Sequence, residues 1–300
     1  MKLETGNDER KMCFFIALLG SALVSLSACT NMVTRTPPAG ASTALSQQAI
    51  AQIIASPDRN PADRSNDLRR KPAQMLDFIG LRPGMTALDL STGGGYTAEL
   101  LARAVGPEGA VYGQSQPARA PDAAPRPAVA PEGNSAPQLK AVELTPSAAP
   151  AVRRTSAQAL AERATKASLS NLHSVVRTFE DPVPPELMAR LDLVTLMFNY
   201  HDLGHMGVDR ARMNAAVFAG LKSGGLYVIA DHAGRSGSGI SEAGTLHRIE
   251  EAFLRQEVEA AGFKPAGSAD FLRNPLDPRD RNTPEPAQPK DEFVLKFVKP

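Results

Sequence analysis

One stretch of the sequence, residues 82–105, constrains the fold more than any other. It reads RPGMTALDLSTGGGYTAELLARAV and combines a turn, a short apolar strand, a glycine-rich bend and a helix over 96–105. Glycines at such a bend let the backbone turn tightly and approach a ligand closely, at the N-terminus of the helix. Because strand, bend and helix follow in order, the glycines predict a ligand site. A bend that only packs the strand against the helix is the alternative.

Strands and helices alternate along the rest of the chain. We predict further strands at 109–113, 174–179, 191–198, 226–230 and 293–298, and further helices at 45–55, 72–79, 156–167, 210–221 and 245–261. This alternation predicts an α/β fold, a Rossmann-like doubly wound and mostly parallel sheet with helices on both faces. The strands are apolar throughout, as a sheet covered on both faces requires.

Composition excludes several functional classes. The net charge is +1, Trp is absent and aromatic residues make up 5% of the chain, so we expect no nucleic-acid partner. The two cysteines, Cys13 and Cys29, both lie in the first tenth of the sequence. The rest of the chain therefore has no cysteine metal cluster and no thiol nucleophile.

The N-terminal region predicts export. A basic pair precedes an apolar run at residues 12–28, which is typical of a signal peptide spanning residues 1–28. The run ends in LSAC, which resembles the lipobox of bacterial lipoproteins and implies a lipid on Cys29. Residues 29–44 lack periodicity and predict a flexible tether. We expect attachment to the cell envelope, at the periplasmic face of the outer membrane; an uncleaved membrane anchor is the alternative.

Residues 115–151 are rich in Ala and Pro and have no sustained period. Such a composition cannot bury enough apolar surface to offset the entropy of ordering. We therefore predict a disordered insertion within the domain.

The sequence from Asp58 to Pro300 resembles the class I S-adenosylmethionine (SAM)-dependent methyltransferases, in particular a group of bacterial predicted methyltransferases of uncharacterised substrate. The matching segments are residues 82–113 and LDLVTLMFNYHDL, LKSGGLYVIADHAG, GTLHRIEEAFLRQEVEAAGF and DEFVLKFVKP. The resemblance implies one methyltransferase-like domain over residues 45–300. It also implies seven strands with the last one antiparallel, and SAM as the cofactor across the carboxyl ends of the strands.

The resemblance also implies which residues hold SAM. Two positions depart from the family pattern: Ser91 replaces the first glycine, and Ser115 stands where an acidic residue grips the ribose. A serine can hydrogen-bond the ribose, but without the charge of a carboxylate. The implied cofactor-binding residues are Asp89, Ser91, Gly93, Gly94, Gly95, Tyr96, Ser115, Asn199, and, near the adenine, Thr178 and Phe179.

Polar residues that follow the later strands are candidates for chemistry. Residues 199–202 (NYHD) follow the fourth strand, at the edge where such sheets bind ligands. His201 is the candidate base, Asp202 its orienting partner and Tyr200 a third candidate catalytic residue. The alternative is a set of loop residues that cap the strand and the next helix. His232, after the fifth strand, either faces the same cleft or lies in a surface turn.

Three further sets of polar residues are candidates for a site. His201 and His205 are four residues apart, which suits a metal on a helix, but Gly204 and Gly207 argue against a helix, so we predict no metal site. His247 lies on the predicted helix 245–261, and we expect it on the solvent-exposed face of that helix. The charged residues 64–72 either close over the cleft and bind an anionic group or form a solvated loop.

The sequence thus favours a SAM-dependent methyltransferase that acts on a small molecule or an envelope component. An exported, non-catalytic Rossmann-like domain that binds a nucleoside-like ligand or a protein is the main alternative. A metal-dependent hydrolase that uses His201, Asp202 and His232 is the third.

Overall fold

The computed structural model of the chain describes residues 43–118, 154–286 and 288–300. The predicted signal peptide, Cys29, nearly all of the predicted tether and most of the predicted insertion lie outside these ranges. None of the helices within the described ranges combines the length and the apolar character that crossing a membrane requires.

Strands and helices alternate as the sequence predicts. The helices are α1 Gln47–Ala55, α2 Pro61–Arg70, α3 Pro72–Ile79, α4 Tyr96–Val105, α5 Ser156–Lys166, α6 Tyr200–His205, α7 Arg210–Gly220, α8 Ala243–Leu246 and α9 Glu251–Ala260. The strands are β1 Thr86–Leu90, β2 Ala110–Ser115, β3 Leu172–Val176, β4 Leu191–Met197, β5 Leu221–His232, β6 Lys264–Ala269 and β7 Glu292–Val298.

The seven strands form one sheet in the order β3-β2-β1-β4-β5-β7-β6. All neighbours pair in parallel except β7, which runs antiparallel to both β5 and β6. The predicted fold class is confirmed. Apolar side chains form a buried cluster on each face, so that Leu88 contributes to one cluster and its neighbour Ala87 to the other.

The order of the strands fixes where a ligand can bind. From β1 the chain builds outward to β2 and β3 on one side, and to β4 and β5 on the other. The crevice outside the carboxyl ends of β1 and β4 is the topological switch point, where open α/β sheets bind their ligands. Asp89 of β1 lies beside Thr195 of β4 at this edge.

Several predicted elements differ from those observed. The charged residues of α2 were considered as a loop, but they form a helix that Asn60 caps and Pro61 begins. The predicted helix 245–261 is two helices, α8 and α9, separated at His247. The predicted strand 226–230 extends over Leu221–His232, with a register shift opposite Leu191–Leu193, and β6 was not predicted.

Candidate active site at the carboxyl edge of the sheet

A cavity of about 400 Å³ lies at the carboxyl edge of the sheet, beside the glycine-rich bend. The bend, α2, α5 and the residues that follow β4 line it. Six of the predicted cofactor-binding residues line it: Asp89, Ser91, Gly93, Gly94, Tyr96 and Asn199. The other four, Gly95, Ser115, Thr178 and Phe179, are not among the lining residues.

Asp89 is the buried acidic group of this cavity, with 2% of the residue exposed. Oδ1 accepts a hydrogen bond from Thr195 Oγ1 (2.7 Å), and Oδ2 accepts one from Thr92 Oγ1 (2.9 Å). Burial raises the pKa of Asp89 to about 6, although both hydrogen bonds lower it. The two hydroxyls therefore fix the orientation of a carboxylate that changes charge close to neutral pH.

Ser91 adopts a left-handed backbone conformation (φ 53°), a region that favours glycine. Its N–H donates to Gln114 Oε1 (2.9 Å) and its hydroxyl donates to Asn199 Oδ1 (2.6 Å). Phe198, which also lines the cavity, has a φ of 59°. Strained residues of this kind concentrate at functional sites.

Gly95 is required by packing rather than by the cavity. Its φ is 84°, and a Cβ atom there would lie 2.5 Å from Leu160 Cδ1 and 3.0 Å from Arg163 Cδ. Helix α5 therefore packs directly against the bend. Gly94 has open space around its Cα atom.

Among the described residues, the end of β2 has no charged group for a ribose. Gln114 is fully buried, and its side chain is used to bind Ser91 N and the carbonyl of Arg177 (2.6 Å). Ser115 Oγ is buried and makes no hydrogen bond to a residue that the structure describes. Phe179 belongs to the hydrophobic core and Thr178 is exposed.

Helix α2 forms a basic wall of the cavity. The guanidinium of Arg70 lies between two rings, 5.1 Å from the centre of Tyr96 and 4.8 Å from the centre of Phe198. Its Nε is buried and has no hydrogen-bond partner among the described residues. Burial and the neighbouring Arg69 lower the pKa of Arg70. Of the two alternatives for this charged segment, the structure has the one in which it lies against the cleft, as helix α2.

Hydrogen bonds and ion pairs hold α2 in place. Asp67 accepts from Arg59 (2.8 Å) and from the hydroxyl of Tyr96 (2.6 Å), and Arg69 pairs with Glu292 of β7 (3.0 Å). On the other side of the cavity, Arg163 of α5 pairs with Asp63 of α2 and donates to the carbonyl of Gly94 (2.5 Å). Arg163 was not predicted as a site residue, because α5 follows the predicted insertion and no local pattern indicates the partners of this side chain.

Beside the cavity lies a buried group of histidines and carboxylates, which we call the histidine cluster: His201, Asp202, His205, Asp231, His232 and His247. The sequence has five histidines, and four of them are in this cluster. His201 is fully buried between two carboxylates: Nδ1 lies 2.6 Å from Asp231 Oδ1, and Nε2 lies 3.2 Å from Asp202 Oδ1. Burial alone would lower the pKa of His201, but Asp231 and Asp202 raise it to about 10.

The histidine cluster is tied to the cavity by a chain of hydrogen bonds. Asn199 receives the Ser91 hydroxyl on Oδ1 and donates from Nδ2 to Asp202 Oδ2 (2.8 Å). Asp202 Oδ1 in turn lies 3.1 Å from Nδ1 of His247. The expected pairing of His201 with Asp202 is thus present, together with a closer partner, Asp231.

Two expectations for this region were wrong, and one of the two alternatives for His232 is excluded. A solvated helical face was expected around His247, but His247 is 5% exposed and has a left-handed backbone (φ 51°) at the end of α8. No helix was expected at Gly204, yet α6 spans it. His232 is buried rather than in a surface turn; its ring centre lies 5.3 Å from that of His201.

Tyr200 lies away from the cavity. The residue is fully buried in the core, where its hydroxyl donates to Glu257 (2.9 Å) and accepts from Asn214 (2.8 Å). These bonds join α6, α7 and α9. The Tyr200 side chain thus has a structural role, because it holds α6 in position. None of these contacts supports the catalytic role predicted for it.

Comparisons with known proteins agree with this geometry. A sequence model of the protein-L-isoaspartate(D-aspartate) O-methyltransferase family matches residues 69–119, which run from the end of α2 to just beyond β2. This is less than half of the chain. A search of curated proteins finds no match to the sequence.

Solved structures match much more of the chain. A SAM-dependent methyltransferase from Aquifex aeolicus is 17% identical, with a TM-score of 0.52 over 85% of this chain and 100% of that one. The [4+2]-cyclase SpnF is 16% identical, with a TM-score of 0.50 over 86% of this chain and 97% of that one.

The chain therefore has the Rossmann-like fold of SAM-dependent methyltransferases. One of these two similar structures is a [4+2]-cyclase, and a fold by itself does not specify the reaction. The function must be argued from the site.

Proposed function

We propose that the chain is a SAM-dependent methyltransferase that transfers a methyl group to a small molecule or an envelope component. The observation that carries the proposal is the cavity at the topological switch point, which the glycine-rich bend, the buried carboxylate of Asp89 and the guanidinium of Arg70 line together. Its volume, about 400 Å³, lies within the range of about 300–1,000 Å³ that is usual for small-molecule sites.

The charges of the cavity suit the amino-acid end of SAM. Arg70 has a buried Nε without a hydrogen-bond partner among the described residues, which suits the carboxylate of the methionine part. Asp89 supplies a fixed negative charge for the amino group and the sulfonium. At the end of β2, Ser115 has a hydroxyl in place of a carboxylate, and it does not line the cavity. The residues therefore fit SAM at its charged end, with a weaker hold on the ribose.

SAM, when bound, supplies an electrophilic methyl group. The contribution of the chain is to hold the donor and the acceptor in line and to keep water out. The rings of Tyr96 and Phe198 form an apolar part of the wall around Arg70. His201 and Asp202 stay candidates for catalysis, since Asn199 joins Asp202 to the cavity wall.

Calorimetric titration of the full-length protein with S-adenosylhomocysteine tests the proposal. We expect wild-type protein to bind, and Asp89→Asn to lose affinity by roughly 10- to 100-fold, which corresponds to one charge-assisted hydrogen bond of about 1.5–3 kcal/mol. Asp270→Asn is the matched control, because the Asp270 side chain is 90% exposed and lies outside this cavity.

The result separates the candidate functions. Absence of heat from wild-type protein at millimolar ligand would contradict the proposal and favour a binding domain for another ligand, for which the uncharged end of β2 is the supporting observation. Binding that Asp89→Asn leaves unchanged would mean that the nucleoside occupies a different site.

A further inference from the structure

Within the histidine cluster, three side chains bring donor atoms to one point. Asp202 Oδ1 lies 3.2 Å from His201 Nε2 and 3.1 Å from His247 Nδ1, and all three donor atoms lie within 4.8 Å of one another. His201 and His247 are buried, and Asp202 is partly buried. The three residues come from two segments of the chain, α6 and the residue after α8.

The spacing of these atoms matches the ligands of a tetrahedral metal. Zinc–nitrogen and zinc–oxygen bonds of about 2.0–2.1 Å place neighbouring ligands of a tetrahedron roughly 3.3–3.4 Å apart. The separations of Asp202 Oδ1 from His247 Nδ1 and from His201 Nε2, 3.1 and 3.2 Å, are close to this edge length. His205 Nδ1, 3.8 Å from the same oxygen of Asp202, lies next to the three.

The environment of His201 also indicates a ligand. Its Nε2 is fully buried and makes no hydrogen bond in good geometry with a described residue, although the ring is held firmly from the opposite side. A buried ring nitrogen that lacks such a bond costs free energy unless another group meets it. A metal ion beside Asp202 would meet it directly.

The residues around these three side chains bind and orient them, as the neighbours of metal ligands do. Asp231 binds Nδ1 of His201 (2.6 Å), the carboxylate–histidine arrangement that orients metal-binding imidazoles. Asn199 binds the second oxygen of Asp202 (2.8 Å). When the ion takes the place of the proton on His201 Nε2, both imidazoles are neutral, and the charges of Asp202 and Asp231 balance those of a divalent cation, as a buried ion requires.

We propose that His201, Asp202 and His247 bind a divalent transition metal ion of the zinc type, with a fourth position for water or a substrate atom. Three protein ligands with an open position are characteristic of catalytic rather than structural zinc. Asn199 lines the cavity and donates a hydrogen bond to Asp202, so the ion would lie beside the proposed nucleoside site.

Zinc titration of the chelator-treated full-length protein, without nucleoside, tests this site. We expect one equivalent per wild-type chain and a rise in melting temperature with zinc, because the ion binds the folded state. Cobalt(II) in place of zinc should give the visible absorption of a four-coordinate nitrogen and oxygen site. His247→Gln should weaken binding at least about 10- to 100-fold, the loss that even outer-shell changes cause.

His173→Gln is the matched control, since His173 is exposed on β3 and stacks on Tyr112 (5.1 Å between ring centres). Wild-type protein that binds no zinc would overturn the proposal, as would equal losses in His247→Gln and His173→Gln. If His247→Gln does not fold, two measurements test the proposal instead: the zinc affinity of Asp202→Asn, which should be weakened, and the zinc stoichiometry of the wild-type chain. Because no nucleoside is present, failure here leaves the methyltransferase proposal standing, and the reverse also holds.

Discussion

Asp89 carries the charge at the centre of the candidate site, and its environment predicts a pH dependence. Its pKa is raised from an ordinary carboxyl value to about 6, so the side chain is ionised above this pH and protonated below it. If the ligand binds the ionised form, affinity is constant above about pH 7 and falls roughly ten-fold per pH unit below pH 6. Titrations with S-adenosylhomocysteine at several pH values measure this slope.

The matched variant makes the pH prediction specific. Asp89→Asn has no charge to lose, so we expect its weaker affinity to stay constant across the same pH range. A wild-type affinity that is also constant from pH 7 to 5 would show that Asp89 does not contact the ligand in its charged form.

Two adjacent glycines of the bend should respond differently to alanine. At Gly95 the backbone has a φ of 84° and a Cβ atom would overlap Leu160, whereas Gly94 has open space. We expect Gly95→Ala to lower the free energy of unfolding by about 1–3 kcal/mol, and Gly94→Ala to change it much less. Urea unfolding of both variants measures this, and equal losses would mean that α5 does not pack against the bend.

At the scale of single residues, the sequence predicts those site residues that lie within one local motif. Asp89 and the glycines were assigned from one contiguous motif, and Asp89, Gly93 and Gly94 line the cavity. Asp231 and Arg163 were missed as partners, since their contacts join segments far apart in the chain. His247 was misjudged because a helical pattern continues through it, and only tertiary contacts turn the backbone there.

At the scale of elements, α2 makes one wall of the cavity and provides its cation. Arg70→Gln removes the charge beside Tyr96 and Phe198, so we expect roughly 10- to 100-fold weaker binding of S-adenosylhomocysteine. Arg64→Gln on the same helix is the control, because Arg64 is exposed and bonds to the carbonyl of Ser56. Calorimetry that finds equal affinities for the two variants would exclude α2 from the ligand site.

The elements differ in how far the sequence reveals them. Helix α4 was predicted at its observed bounds, Tyr96–Val105, because a glycine stands at each end and the sequence between them is mostly apolar. Helix α2 has few apolar residues; its stability comes from a cap and from ion pairs with other elements, which periodicity does not record. Between α8 and α9, Arg248 is buried and pairs with Asp277 (2.9 Å), a contact between distant segments that periodicity does not record.

At the scale of the whole molecule, the lipoprotein hypothesis concerns residues outside the described ranges, and it stays a proposal. If Cys29 carries a lipid, metabolic labelling with palmitate marks the wild-type protein, and Cys29→Ser abolishes the label. Cys13→Ser is the natural control, since Cys13 lies within the predicted signal peptide. Label that persists in Cys29→Ser would contradict the assignment of the lipobox.

The central claim is that a nucleoside ligand of the SAM type binds between the glycine-rich bend and α2. Hydrogen–deuterium exchange of the full-length protein, with and without S-adenosylhomocysteine, locates the ligand on the backbone. We expect slower exchange in peptides that cover residues 89–96 and 61–70. Unchanged exchange in both, or protection confined to the separate cavity that Gly234, Arg255 and Arg273 line, would contradict the claim.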